Sequence, residues 1–262
     1  MTFQRFSDFL SRPRQPLAEP LARWFLTERG QQLERMEREL LAAQLTRHFG
    51  SYIVYYNPPM PIVTAPKIRQ HISLGDLQLD VDVHCAEHKW PIAADAVDAV
   101  VLQHSLDFAV SPHDLLREAA HCIRPGGHLI IVGVKAWSLF GLYRHCTGSV
   151  WKHAHCLAPA RITDWLGVLG FRLEKRSFIA YRPLLNSNVM QSKLESFERY
   201  AQRKNLPMGG CYMLVARKMV HGMHPQSHSV KLSVQKLRPS AVAARESHPK
   251  HIKHSEEHDR SS

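Results

Sequence analysis

Gln103, His104 and Ser105 are the residues best placed to do chemistry. They are three hydrogen-bonding side chains in a row, directly after the apolar run Ala96 to Leu102. An imidazole at the end of a buried strand can contact a ligand or take a proton from a nucleophile. The alternative is a strand-end histidine capped by backbone. Asp107, close by, reads as a solvated turn residue, and Asp98, at the start of the run, reads as a structural cap on a neighbouring loop. Cys146, His153, His155 and Cys156 offer thiols and imidazoles, but they lack the two closely spaced ligand pairs of a zinc site, so they read as an ordinary loop.

These residues need a scaffold, and Ala96 to Val134 supplies it. Leu115, Leu116, Ala119, Ala120 and Ile123 recur at helical spacing behind a Ser111 N-cap, with Pro112 at the first helical position. Arg117 and Glu118 fall on the solvated face. Arg124-Pro125-Gly126-Gly127 stops the helix and turns the chain into a second apolar run, His128 to Val134. Strand, helix and strand in one short stretch predict a right-handed βαβ unit in a mostly parallel sheet. Ligands of such sheets bind beyond the carboxyl ends of the strands, which here means Gln103 to Leu106.

Around that unit, residues 17–49 predict helix with a break at Gly30. Leu33, Met36, Leu40, Leu41 and Leu45 form an apolar stripe, with Arg and Glu on the other face. Ser51 to Tyr56 predicts the first strand, and Asn57-Pro58-Pro59-Met60-Pro61 an extended loop. Residues 62–75 carry no clear period, whereas Leu77 to Cys85 alternates and predicts a strand. A short helix is expected near Leu139 to Tyr143, a longer one over Pro159 to Leu169, and another over Gln191 to Gln202. Two closing strands are expected at Phe171 to Ala180 and Cys211 to Lys218. The aromatics Trp137, Phe140, Tyr143 and Trp151 could line a pocket, but most of them are expected to pack on the sheet.

The chain of 262 residues is 44% hydrophobic and carries a formal charge of +11, which permits one α/β domain plus a tail. The expected organisation is an N-terminal arm (1–16), an α/β domain (17–220), and a disordered, basic, histidine-rich tail (221–262). Five cysteines at irregular spacing read as reduced thiols in a cytoplasmic protein. No apolar run is long enough to span a membrane, and no secretory signal pattern is present. The basic tail leaves nucleic acid open as a partner; such binding would weaken steeply with salt.

The segments Trp90-Pro91-Ile92, Ala96 to Val101, His104-Ser105-Leu106, Leu115 to Glu118 and Ile123 to Gly127 together resemble the class I S-adenosylmethionine-dependent methyltransferases of the type 11 domain group. The resemblance implies a Rossmann-like, doubly wound α/β fold with an antiparallel closing strand. It also implies S-adenosyl-L-methionine as cofactor, held around Asn57, Ala86, Glu87, Gln103, His104 and Ser105, and methyl transfer to an acceptor the sequence does not identify. No catalytic residue is evident beyond His104 as a candidate, and methyl transfer mainly needs the donor and acceptor aligned.

The chain departs from the family pattern at the cofactor loop. The family follows its first strand with a carboxylate and a glycine-rich turn, whereas Tyr56-Asn57-Pro58-Pro59-Met60-Pro61 contains neither. The span from Asn57 to Leu77 is short for a helix plus a strand, and Ala86 stands where an adenine-facing aspartate is common, with Glu87 beside it. Hence a second function class: an inactive methyltransferase fold, its cofactor loop closed by prolines, serving as a binding or scaffolding module.

Overall fold

The computed structural model describes residues 18–77, 79–136, 138, 150–181, 204, 206 and 209–220. Seven strands form one sheet: β1 (Gly50–Tyr56), β2 (Ile68–Gly75), β3 (Val83–His84), β4 (Val97–Gln103), β5 (Ile123–Val134), β6 (Phe171–Ile179) and β7 (Cys211–Lys218). Their order is β3-β2-β1-β4-β5-β7-β6; the pairs from β3 to β5 are parallel and β7 runs antiparallel to both β5 and β6. This is the expected doubly wound, Rossmann-like sheet with an antiparallel closing strand. The expected arm (1–16), the tail (221–262), the helices near Leu139 to Tyr143 and Gln191 to Gln202, and Trp137, Phe140, Tyr143 and Cys146 lie outside the described residues.

Both faces of the sheet are covered. On one, α4 (Pro112–Cys122) and α5 (Pro159–Val168) pack Leu115, Leu116, Ile162 and Leu166 against Val100, Leu102, Leu129 and Ile131. On the other, α2 (Glu28–Leu45) lays Leu41 and Leu45 over Ile53, Ala99, Val101 and Ile130. β4 is buried at every position, which is why it reads as a nearly continuous apolar run interrupted by Asp98. The Ser111 hydroxyl caps α4 as expected, accepting from the Asp114 amide. Asp98 is also structural: its Oδ2 accepts the Ser51 and Tyr52 amides at 2.6 and 2.9 Å, and its Oδ1 pairs with Arg124 at 2.6 Å.

Four local expectations are corrected. Of the strand placed at Leu77 to Cys85, only Val83 and His84 pair among the described residues; β2 is the unperiodic stretch Ile68–Gly75, which pairs with β1 from Gly50↔Ile68 to Tyr56↔Leu74. The helix break falls at Leu26 and Thr27 rather than at Gly30. Thr27 caps α2 by accepting from the Gly30 amide, and it donates to the carbonyl of Trp24 at the end of α1 (Ala18–Phe25). Gly30 is required for contact instead: a Cβ there would lie 2.3 Å from the Trp24 oxygen and 2.5 Å from the Phe25 Cα. Glu118 is half-buried and accepts the Trp90 amide at 3.4 Å. Finally, Arg124-Pro125-Gly126-Gly127 is an excursion within β5, between the pairs Val97↔Ile123 and Ala99↔His128, with Gly126 at φ +83°.

The crossover from β1 to β2 contains no helix. Residues 57–67 run as loop and turn, and place Ile62, Val63 and Ala65 on the sheet face that α2 also covers. Parallel strands are usually joined through a helix. Here part of that covering is supplied by a helix that precedes the sheet in sequence.

Candidate functional site

The carboxyl ends of β1, β2 and β4 open onto a cavity of about 580 Å³. Of the residues expected to bind a ligand, Asn57, Ala86, Glu87, His104 and Ser105 line it. Gln103 does not; its amide turns under the sheet and donates to Glu37 Oε2 at 2.8 Å. Asp76, immediately after β2, also lines the cavity, with Tyr56, Cys85 and Phe108 giving it apolar walls. The sequence reading missed Asp76 because it misplaced the strand that Asp76 follows.

Asn57 sits at φ +43°, a left-handed conformation that Asn tolerates better than most residues. Its amide donates to the Leu74 carbonyl at 2.8 Å, and its side-chain oxygen accepts the Asp76 amide at 2.9 Å. It therefore ties the ends of β1 and β2 together, and Gly75 leaves room for it, since a Cβ there would meet Asn57 Oδ1 at 2.7 Å. Pro59 lines the cavity without filling it. Glu87 is turned towards backbone, accepting the Val110 and Ser111 amides at 2.9 and 2.8 Å just before α4. The Ser105 hydroxyl donates to the Tyr56 carbonyl at 2.7 Å, fixing β4's end to β1's end.

Beneath the cavity lies a buried polar cluster. His104, at φ +56°, occupies the N-cap position of the short helix α3 (Ser105–Phe108) without a capping bond from its side chain. Its Nε2 is 2.8 Å from Glu37 Oε1 and its Nδ1 is 3.2 Å from Asp107 Oδ2. Glu37, His104 and Asp107 are at most 1% exposed. Burial alone would lower the His104 pKa, but the Glu37 charge and the Asp107 hydrogen bond outweigh it and raise the pKa to about 10. The ring is an imidazolium at neutral pH. Trp151 packs edge-on against it, with centroids 5.0 Å apart, and Phe25 lies tilted over it. Asp107 also accepts the Val134 amide at 3.0 Å, while its Oδ1 has no hydrogen-bond partner among the described residues.

Two expectations therefore change. Asp107 is buried in an ion cluster, because the one-turn helix α3 folds it back under its own N-cap. Glu37 sits on the buried face of α2, not the solvated one. A signal for it exists: Leu33, Glu37 and Leu41 are spaced by four, so the carboxylate interrupts the apolar stripe. His153 and His155 do not converge on a metal. The His155 ring bonds the Ala109 carbonyl at 2.8 Å, and no group of three His, Cys, Asp or Glu among the described residues could hold a metal ion. No described helix is long and apolar enough to cross a membrane.

Residues 40–131 match a family model described as a methyltransferase domain, of the type 11 group. The segment spans β1 through most of β5 and all of the cavity lining except Leu21 of α1. The matched segment is about a third of the chain, and there the chain is similar to the methyltransferase domains of the type 11 group. The YafS protein of Escherichia coli (strain K12) is 28% identical over 110 residues, which is 40% of this chain and 45% of that protein, so the match spans less than half of the relative. A chain from the Haloferax volcanii complex between the Trm112 methyltransferase activator and a candidate methyltransferase superimposes with TM-score 0.54 at 16% identity, covering 76% of this chain and 98% of that one. An S-adenosylmethionine-dependent methyltransferase from Thermotoga maritima gives TM-score 0.50 at 17% identity, covering 69% and 88%. These structural likenesses establish the fold.

Proposed function

We propose that this chain transfers a methyl group from S-adenosylmethionine to an acceptor. The observation that carries the proposal is the cavity at the carboxyl ends of β1, β2 and β4, inside the segment that matches the methyltransferase domain. Its volume lies within the range of about 300–1,000 Å³ usual for small-molecule sites. Asp76 stands nineteen residues beyond Asn57, where nucleotide-binding sheets of this kind carry the carboxylate that takes the ribose hydroxyls. Tyr56, Cys85 and Phe108 offer apolar surface to the adenosyl group, and Ala86 and Glu87 border it. The residues thus fit the nucleoside part of the cofactor. The prolines argue less strongly for a scaffold than they do in the sequence alone, because the cavity remains open beside Pro59.

Bound there, the sulfonium supplies the activated methyl group. The chain's own part is to align donor and acceptor and to exclude water. His104 supports no role as general base, since it is already protonated and both ring nitrogens are engaged. We assign it the role of a buried cation that holds α2 to the sheet beneath the cavity. The acceptor is then a nucleophile that reacts without help from His104. Titration calorimetry of the full chain with S-adenosylmethionine tests the reading: micromolar binding that weakens roughly tenfold or more in Asp76→Ala supports it, as the loss of hydrogen bonds to a ribose should. No heat from a folded protein contradicts it.

A further inference from the structure

The charges around the cavity are uneven. Among the described residues, its lining carries the carboxylates of Asp76, Glu87 and Asp114, the imidazoles of His88 and His104, and no Lys or Arg. Asp114 faces Arg117 at 3.6 Å, but neither Asp76 nor Glu87 forms a salt bridge among the described residues. Below the floor, where His104 and Ser105 line the cavity, Glu37 and Asp107 set two carboxyl groups against one imidazolium. Both layers favour positive charge in a site walled by low-dielectric protein.

The loop beside the cavity adds a second, independent asymmetry. A glycine-rich turn offers backbone amides to an anionic group. From Asn57 to Pro61 only Asn57 and Met60 have an amide hydrogen, and that of Asn57 is spent on the Leu74 carbonyl. The side-chain oxygen of Asn57 faces the Asp76 amide. The loop is built to close the β1–β2 end rather than to hold a carboxylate.

We propose that the cavity recognises the adenosyl group together with a positive centre, gives an amino-acid carboxylate no Lys, Arg or free loop-amide anchor among the described residues from Asn57 to Pro59 and the cavity lining, and therefore holds the charged sulfonium donor in preference to its neutral thioether product. The inference rests on the methyltransferase reading and deepens it. A one-charge difference within several ångströms of two carboxylates amounts to about tenfold in affinity at low salt.

The test compares three ligands on the full chain by titration calorimetry in low salt: S-adenosylmethionine, S-adenosylhomocysteine and decarboxylated S-adenosylmethionine. The expected result is S-adenosylmethionine about tenfold tighter than S-adenosylhomocysteine, with the decarboxylated compound as tight or tighter. The preference should shrink below about threefold in Asp76→Asn, which keeps the side chain's shape and removes its charge. Equal or tighter binding of S-adenosylhomocysteine overturns the inference, as does a tenfold loss with the decarboxylated compound or an unchanged ratio in Asp76→Asn. In each of those cases an adenosyl ligand still binds and the methyltransferase reading stands. If none of the three binds a folded protein, both fail.

Discussion

At the scale of residues, the structure turns on Glu37, His104 and Asp107. A buried charge is tolerable only when paired, and His104 is paired on both sides. Removing one partner leaves an uncompensated buried charge, so Glu37→Ala should lose about 3–5 kcal/mol, measured by urea denaturation. Glu37→Leu with His104→Leu and Asp107→Leu removes every charge at once, and should be less destabilising than the single change if the charges are the cause. A single-variant loss under about 1 kcal/mol contradicts the buried pairing. One of the three was legible in the sequence. His104 stands at the end of an unmistakable strand, but Glu37 is sixty-seven residues away in a helix rich in exposed charges. Local periodicity averages over such a helix, and only one carboxylate in it crosses to the buried face.

At the scale of elements, the crossover from β1 to β2 sets this chain apart. A loop replaces the helix, and α2 covers part of that sheet face. The angle between α1 and α2 should therefore matter, and Gly30 allows it by letting α2 come against the backbone of Trp24 and Phe25. Gly30→Ala should destabilise the fold by about 1–3 kcal/mol, the usual cost of overpacking, although alanine favours helix elsewhere. A stabilised Gly30→Ala variant in thermal melts would contradict that contact. β4, α4 and β5 were legible because a fully buried strand and a capped amphipathic helix are strong local signals. β2 was not, because its side chains at Arg69, Gln70 and His71 break the period, while the neighbouring Leu77 to Cys85 alternates by accident without strand neighbours over most of its length.

At the scale of the whole molecule, the histidines give stability a definite pH profile. His48 is buried beside His128, and burial, the His128 charge and Arg47 lower its pKa to about 4; burial also lowers that of His128. As pH falls below the ordinary histidine value of about 6.5, the unfolded chain takes up protons that folded His48 refuses, so stability drops between pH 6.5 and about 4. His104 acts in the opposite direction. Its raised pKa stabilises the fold fully below about 6.5, and that contribution is lost as pH rises towards about 10. The urea midpoint should peak between these limits, near pH 6 to 7, and the decline from about pH 7 to about 8, below the range where the buried thiols contribute, should disappear when His104 is replaced by leucine together with both its partners. A midpoint still rising at pH 9 would contradict the His104 assignment.

The central claim is that the cavity at the strand ends is the cofactor site, and amide chemical-shift mapping locates binding most directly. Adding S-adenosylmethionine to the isotope-labelled chain should shift the amides of Asp76, Glu87, Ser105 and Ser111, which line the cavity. The amides of His48 and Glu174, near the tilted His48–His128 pair, should stay in place. Shifts centred on His48 and Glu174, or none at saturating ligand, would contradict the claim.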